Sequence, residues 1–113
     1  MDTIEINGET YRRVDTSAER PYVVVCGHGG RTVLYGYAID PAAGAPITLR
    51  RARMVIRWDA KCGAITGFAE SGPVADTRLS KTVAEVHDAC AQSLMPVSPK
   101  TAAKIEAWPV YGV

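Results

Sequence analysis

Arg50, Arg51, Arg53 and Arg57 form the densest charge feature of the sequence. If the segment is a strand, alternation places Arg51, Arg53 and Arg57 on one face with Val55, and Ala52, Met54, Ile56 and Trp58 on the other. Three like charges on one face repel unless anions or carboxylates offset them, and guanidinium forks take phosphate oxygens two at a time. Two readings follow. Either the arginines hold a phosphate-bearing ligand, or they form a solvated face paired with carboxylates such as Glu5, Asp40 or Glu85.

Other chemistry-bearing groups are weaker. Cys26, His28, Cys62, His87 and Cys90 are five zinc-capable side chains, but a Cys-x-His pair and a His-x-x-Cys pair do not match a common finger spacing. Ordinary thiols and a loop histidine are expected, with no metal. Gly27-His28-Gly29-Gly30-Arg31 has the composition of an anion loop. Phosphate-cradling loops join a strand to a helix, however, and here a strand is expected to follow, so a hairpin turn is the simpler reading. The sequence has no Gly-x-Ser-x-Gly elbow, Walker loop, His-Glu-x-x-His or deaminase motif. Nothing supplies a nucleophile, base and oxyanion set, which points to a non-enzymatic protein without a cofactor.

Length and composition bound the setting. At 113 residues the chain is expected to be one domain, with a hairpin and linker over 1–20, a core over 21–108 and a tail over 109–113. A formal net charge of +1 gives no whole-surface attraction to nucleic acid or anionic membrane. No apolar run approaches the roughly 20 residues of a membrane helix, and the first residues lack a basic segment followed by an apolar one. No membrane partner and a cytoplasmic location are therefore expected. Three scattered cysteines suggest free thiols. Phe68 is the single phenylalanine, so the core must be built from small aliphatics. A core that thin favours a homo-oligomer, because association buries apolar surface one chain cannot.

The elements that position these groups can be read in turn. Asn7-Gly8 between two alternating runs predicts a hairpin with Ile6 opposite Glu9 and Ile4 opposite Tyr11. Tyr22–Cys26, Thr32–Ile39 and Ile47–Trp58 read as three strands of an antiparallel meander, the last two separated by the Pro- and Gly-containing loop 41–46. Ala60, Ala64, Ile65, Phe68 and Ala69 recur at helical spacing, with Asp59 as cap and Ser71-Gly72-Pro73 as stop. Ser98-Pro99 starts a second helix that buries Ala102 and Ile105. Periodicity over 83–95 fits a helix or a strand. The fold class expected is α+β, an antiparallel sheet with two short helices packed on one face.

One longer pattern carries more than its parts: Tyr22-Val23-Val24-Val25, Gly36-Tyr37, Leu49, Ala52-Arg53, Trp58, Ala69, Gly72, Thr77-Arg78-Leu79-Ser80, Val83, Glu85-Val86, Pro96, Ser98 and Ala102-Ala103. With these residues, Tyr22 to Trp108 resembles a family of small uncharacterised domains found mostly in tailed-phage and prophage genomes. The resemblance implies extended structure over 83–95. Its layout is also similar to that of the phage proteins that sequester cyclic nucleotide immune signals such as those of the Thoeris system, an analogy at the level of fold alone. Arg53, Trp58 and Arg78 would suit such a ligand, guanidinium groups for phosphates and an indole to stack on a base, and with Arg51 and Arg57 of the arginine-rich strand they make the expected ligand-binding set; the alternative is that Trp58 caps the core and Arg78 pairs with a carboxylate. The competing expectations are a virion or assembly component bound to phage structural proteins, and a single-stranded nucleic-acid binder.

Overall fold

The structure is a computed structural model that describes residues 3–6, 9–12, 19–26 and 32–112, with the backbone alone at 3–6, 9–12 and 62. The Asn7-Gly8 turn and the Gly27–Arg31 loop with His28 lie outside the described residues. The strands flanking that turn, β1 (Thr3–Ile6) and β2 (Glu9–Arg12), pair antiparallel as their own two-stranded sheet. Ile6 stands opposite Glu9 and Ile4 opposite Tyr11, the register a two-residue connection demands.

The main sheet is built on the expected meander. Strands β3 (Arg20–Cys26), β4 (Val33–Ala38) and β5 (Ile47–Arg57) are antiparallel neighbours. On its far side β5 is long enough to take two partners in succession. β6 (Arg78–Leu79) pairs with its second half, and β7 (Val83–Asp88) with its first. The segment 83–95 is extended, as two strands and not one. β8 (Ala91–Pro96) pairs with β3 at the opposite edge, and the chain breaks between β7 and β8, where the Asp88 carboxylate accepts the Cys90 N–H at 3.0 Å.

That short break shapes the sheet. In a flat sheet β7 and β8 would lie four strand spacings, about 19 Å, apart. Three residue steps from Asp88 to Ala91 span at most about 10 Å. The sheet must therefore curl, although no ladder joins β7 to β8 and the curl stays open. All five long strands of the curl line its inner core, in which Val24, Cys26, Leu34, Ala38, Ile47, Leu49, Ala52 and Ala91 are buried.

The other face carries the helices. Asp59 caps a single 3-10 turn, Ala60–Cys62, and Gly63 at φ 87° ends it before α1 (Ala64–Ser71) begins. The helix expected from Asp59 onward is thus divided at the glycine, which adopts the left-handed conformation at no steric cost. α1 stops at Gly72, and α2 (Pro99–Ala107) starts on the Ser98 hydroxyl, which accepts the Thr101 N–H at 3.2 Å. Thr101 Oγ1 donates to the Glu70 carbonyl at 2.8 Å and ties the helices together. Phe68 and Ala69 of α1 and Ala102 and Ile105 of α2 pack on Val23, Tyr35, Val55 and Leu79, a second core behind the sheet. The molecule divides its small aliphatics between two thin layers, which is why a single phenylalanine suffices.

Candidate functional site

The arginine-bearing strand does not keep its alternation throughout. Tyr35 faces Arg53, but Tyr37 faces Arg50, so β5 carries one extra residue opposite Gly36. Arg51 takes up this bulge at φ 51°. A β-carbon on Gly36 would lie 2.9 Å from Leu49 Cβ, so the close approach at the bulge requires glycine. Arg51 is thereby out of phase with Arg53, and a second register shift, between Val55 and Arg57, interrupts the alternation again before Arg57. Beyond the bulge, the face that looks apolar in sequence is the exposed one: Met54 is 44% and Ile56 48% accessible, against 2% for Arg53.

Arg53 is neither solvated nor open to a ligand. Its Nε donates to the Ser80 carbonyl, and its Nη1 to the carbonyls of Ile105 and Trp108, all at 2.7 Å. These close the C-terminal end of α2, whose last carbonyls have no partner within the helix. Burial lowers the Arg53 pKa, and the four carbonyl contacts, Pro109 included at 3.4 Å, hold the guanidinium there. The indole of Trp108 completes the anchor by donating to the Thr77 carbonyl at 2.9 Å.

Arg51 lies toward the start of β5, with Arg50. Both reach Glu19, at 3.9 and 3.8 Å; of the carboxylates anticipated as arginine partners, Asp40 and Glu85 do not pair with them, and the Glu5 side chain lies outside what is described. The Arg51 guanidinium lies 3.9 Å above the Tyr37 ring. Tyr37 donates to Glu106 Oε2, and Tyr35 donates to the same oxygen at 2.5 Å. Burial, followed by the Glu106 hydrogen bond, pushes both phenols above their usual range. Glu19 and Tyr37 border two cavities of about 340 and 390 Å³.

Arg57 and Arg78 meet at the other end of β5, directly opposite each other across the β5–β6 ladder. Asp76 lies 3.6 Å from each. Arg78 also sits 4.8 Å over the Tyr111 ring. A cleft of about 360 Å³ opens beside it, lined by Asp76, Thr77, Arg78, Trp108, Pro109 and Tyr111 among others. The loop is fixed by Asp59, which accepts the Lys61 N–H at 2.9 Å and the Asp76 N–H at 3.1 Å. Those two backbone donors, Lys61 first, hold its carboxyl below the ordinary range. Arg57, Lys61 and Arg78 against Asp59 and Asp76 leave one excess positive charge. Trp58, next to Arg57 in sequence, is 36% exposed.

Of the five residues singled out in sequence, the fold therefore brings together Arg57 and Arg78, beside Trp58 in the chain, and sends Arg51 and Arg53 elsewhere. Glu19, Asp76, Glu106 and Tyr111 were not singled out. Glu19 and Asp76 fall in polar connecting segments, where nothing in the sequence marks a buried or shared carboxylate. Elsewhere, Cys26 is buried and its thiol is pushed up to about 11 by burial, with Asp88 adding to the effect. Exposed His87 is held between Thr48 at 2.8 Å and Glu85 at 3.0 Å. Among the described residues no group of three or more His, Cys, Asp or Glu side chains is placed to hold a metal ion, and no helix is long and apolar enough to cross a membrane.

Comparison with curated proteins gives no match, and comparison with solved structures gives none. A family model does match, over residues 20–105, from the first residue of β3 into the last turn of α2. The match spans the curled sheet and both helices, and the chain belongs to the family described as Domain of unknown function (DUF6948).

Proposed function

We propose that the protein is a non-enzymatic binder of a small nucleotide-like anion, held at the Arg57–Arg78 end of β5. The observation that carries the reading is the opposed arginine pair sharing one carboxylate beside an aromatic cleft. Two guanidinium groups on one exposed aspartate keep donors free for phosphate oxygens. Tyr111, 52% exposed with Arg78 over its ring, offers a surface for a planar base. In the phage setting suggested by the sequence resemblance, such a protein acts in the host cytoplasm by sequestering an immune signal.

Thermal unfolding in the presence of cyclic di- and trinucleotides, cyclic ADP-ribose isomers and inorganic phosphate tests this. At a hundred times the dissociation constant a ligand adds about 2.7 kcal/mol of stability, and Arg78→Ala removes the gain. No stabilisation by any of these compounds rejects the reading. A response to single-stranded oligonucleotides alone, falling steeply with salt, replaces it with nucleic-acid binding.

A second reading, a component of an oligomer or virion assembly, is favoured by one observation. Met54 and Ile56 on β5 and Val83 on β7 are large apolar side chains left exposed. Sedimentation velocity of wild type and Ile56→Lys separates the two: an oligomer abolished by the charge supports assembly, and a monomer in both removes that support.

A further inference from the structure

We infer that Thr48 is an activated nucleophile and an acylation site, one that takes a small apolar acyl group from a thioester or an aryl ester. Three side chains on two adjacent strands carry the inference. Thr48 on β5 stands directly opposite His87 on β7, and Glu85 lies two positions from His87 along the same strand face. Thr48 Oγ1 is 2.8 Å from His87 Nδ1, and His87 Nε2 is 3.0 Å from Glu85 Oε2. A nucleophile, a base and a group that orients the base thus stand in order, each within hydrogen-bond reach of the next. The hydrogen bonds fix where the proton sits. A carboxylate ion only accepts, so Nε2 carries the ring hydrogen and donates to Glu85, which leaves Nδ1 to accept from the Thr48 hydroxyl.

The trio is open to a reagent: Thr48 is exposed, and the His87 and Glu85 side chains are 69% and 49% accessible. Thr48 also forms part of the wall of the cavity of about 340 Å³, where Ile39, Pro41, Pro46 and Ile47 offer an apolar bed for an acyl chain. Arg50 lines the same cavity two positions beyond Thr48 and brings positive charge for a developing oxyanion. One cation is a modest oxyanion site, so the donor must carry a leaving group that departs readily. Thr48 Oγ1 bonds to the carbonyl carbon as its proton passes to His87 Nδ1. The C–S or C–O bond of the donor breaks, the thiolate or aryloxide leaves with the electron pair, and the His87 proton follows it or returns to solvent. The product is an ester on Thr48, a stoichiometric modification at the opposite end of β5 from the arginine pair, so it stands or falls independently of the anion reading.

The test treats the full chain with p-nitrophenyl acetate. A burst of p-nitrophenolate close to one equivalent per chain is expected, and peptide mass spectrometry should place the acetyl group on Thr48. Thr48→Val should abolish the burst and Thr48→Ser should keep it. His87→Gln should slow it about a hundredfold, the contribution of a positioned base. Glu85 is a positioning residue: Glu85→Ala should slow the burst less, and the ring-nitrogen chemical shifts of His87 should move from the Nε2–H tautomer toward a mixture. All three side chains are exposed, and an amide spectrum of each variant confirms its fold. Acetyl found only on lysine side chains, a burst that survives Thr48→Val, or a His87→Gln protein reacting at the wild-type rate would each overturn the inference.

Discussion

Trp108 and Arg53 are locked to each other across the end of α2: the arginine Nη1 donates to the tryptophan carbonyl at 2.7 Å, and the same nitrogen holds Ile105 at 2.7 Å. A cation buried among carbonyls, with no carboxylate partner among the described residues, is here a structural bolt between β5, the residue after β6 and the helix terminus.

Removing that bolt should be expensive. Arg53→Met leaves the Ser80 and Trp108 carbonyls without their donor and the Ile105 carbonyl with only the Trp108 N–H at 3.3 Å, and is expected to destabilise the fold by about 3–5 kcal/mol. Arg53→Lys, whose single ammonium cannot reproduce the fork, should recover only part of this. Urea unfolding followed by tryptophan fluorescence measures both; a loss below about 1 kcal/mol for Arg53→Met would contradict the structural role.

Gly36→Ala presses a methyl against Leu49 Cβ at 2.9 Å and the Arg50 carbonyl at 3.2 Å, atoms of the bulge itself. The expected cost is about 1–3 kcal/mol from overpacking. Gly44→Ala, with nothing within 4 Å, tests backbone strain alone. Thermal denaturation of the pair should show Gly36→Ala as the worse variant.

Asp59 carries a pH signature. Its folded pKa lies below the ordinary 3.8, so the stability it confers is present above that value and is lost as pH falls through the lower folded one. Asp59→Asn should therefore be less stable than wild type at pH 6, and the gap should close toward pH 2. Melting temperature against pH for the two proteins reads this directly; a gap that is constant with pH would show that the carboxylate charge is immaterial.

Asp76→Asn removes the carboxylate shared by Arg57 and Arg78 while leaving the backbone N–H that Asp59 accepts. Anion affinity should rise several-fold, with a steeper fall of binding as salt is added. Titration with inorganic phosphate at two ionic strengths provides the measurement, and unchanged or weaker binding would show that Asp76 does not compete with the ligand.

Local signals were legible and non-local ones were not. The hairpin register, the Ser98-Pro99 helix start and the meander all follow from neighbours a few residues apart. The bulge at Arg51 depends on what Gly36 permits on the adjacent strand, and alternation within β5 cannot reveal it. The same slip hid the fate of Arg53, whose partners lie 27 to 56 residues away. Glu19 shows the limit most clearly: a carboxylate in a polar linker reads as solvated, and only the assembled sheet end buries it. Segment 83–95 is extended, as the resemblance implies, but the corner at Ala89 and Cys90 that divides it into two strands is not marked by periodicity.

That corner has a mechanical consequence. Because the dipeptide tethers opposite margins of one sheet, it works as a hoop: severing it, or splicing in a long flexible insert, would let the margins spring apart and wet the enclosed valines and leucines. Tension on the protein applied through its two margins would be borne first by Ala89 and Cys90.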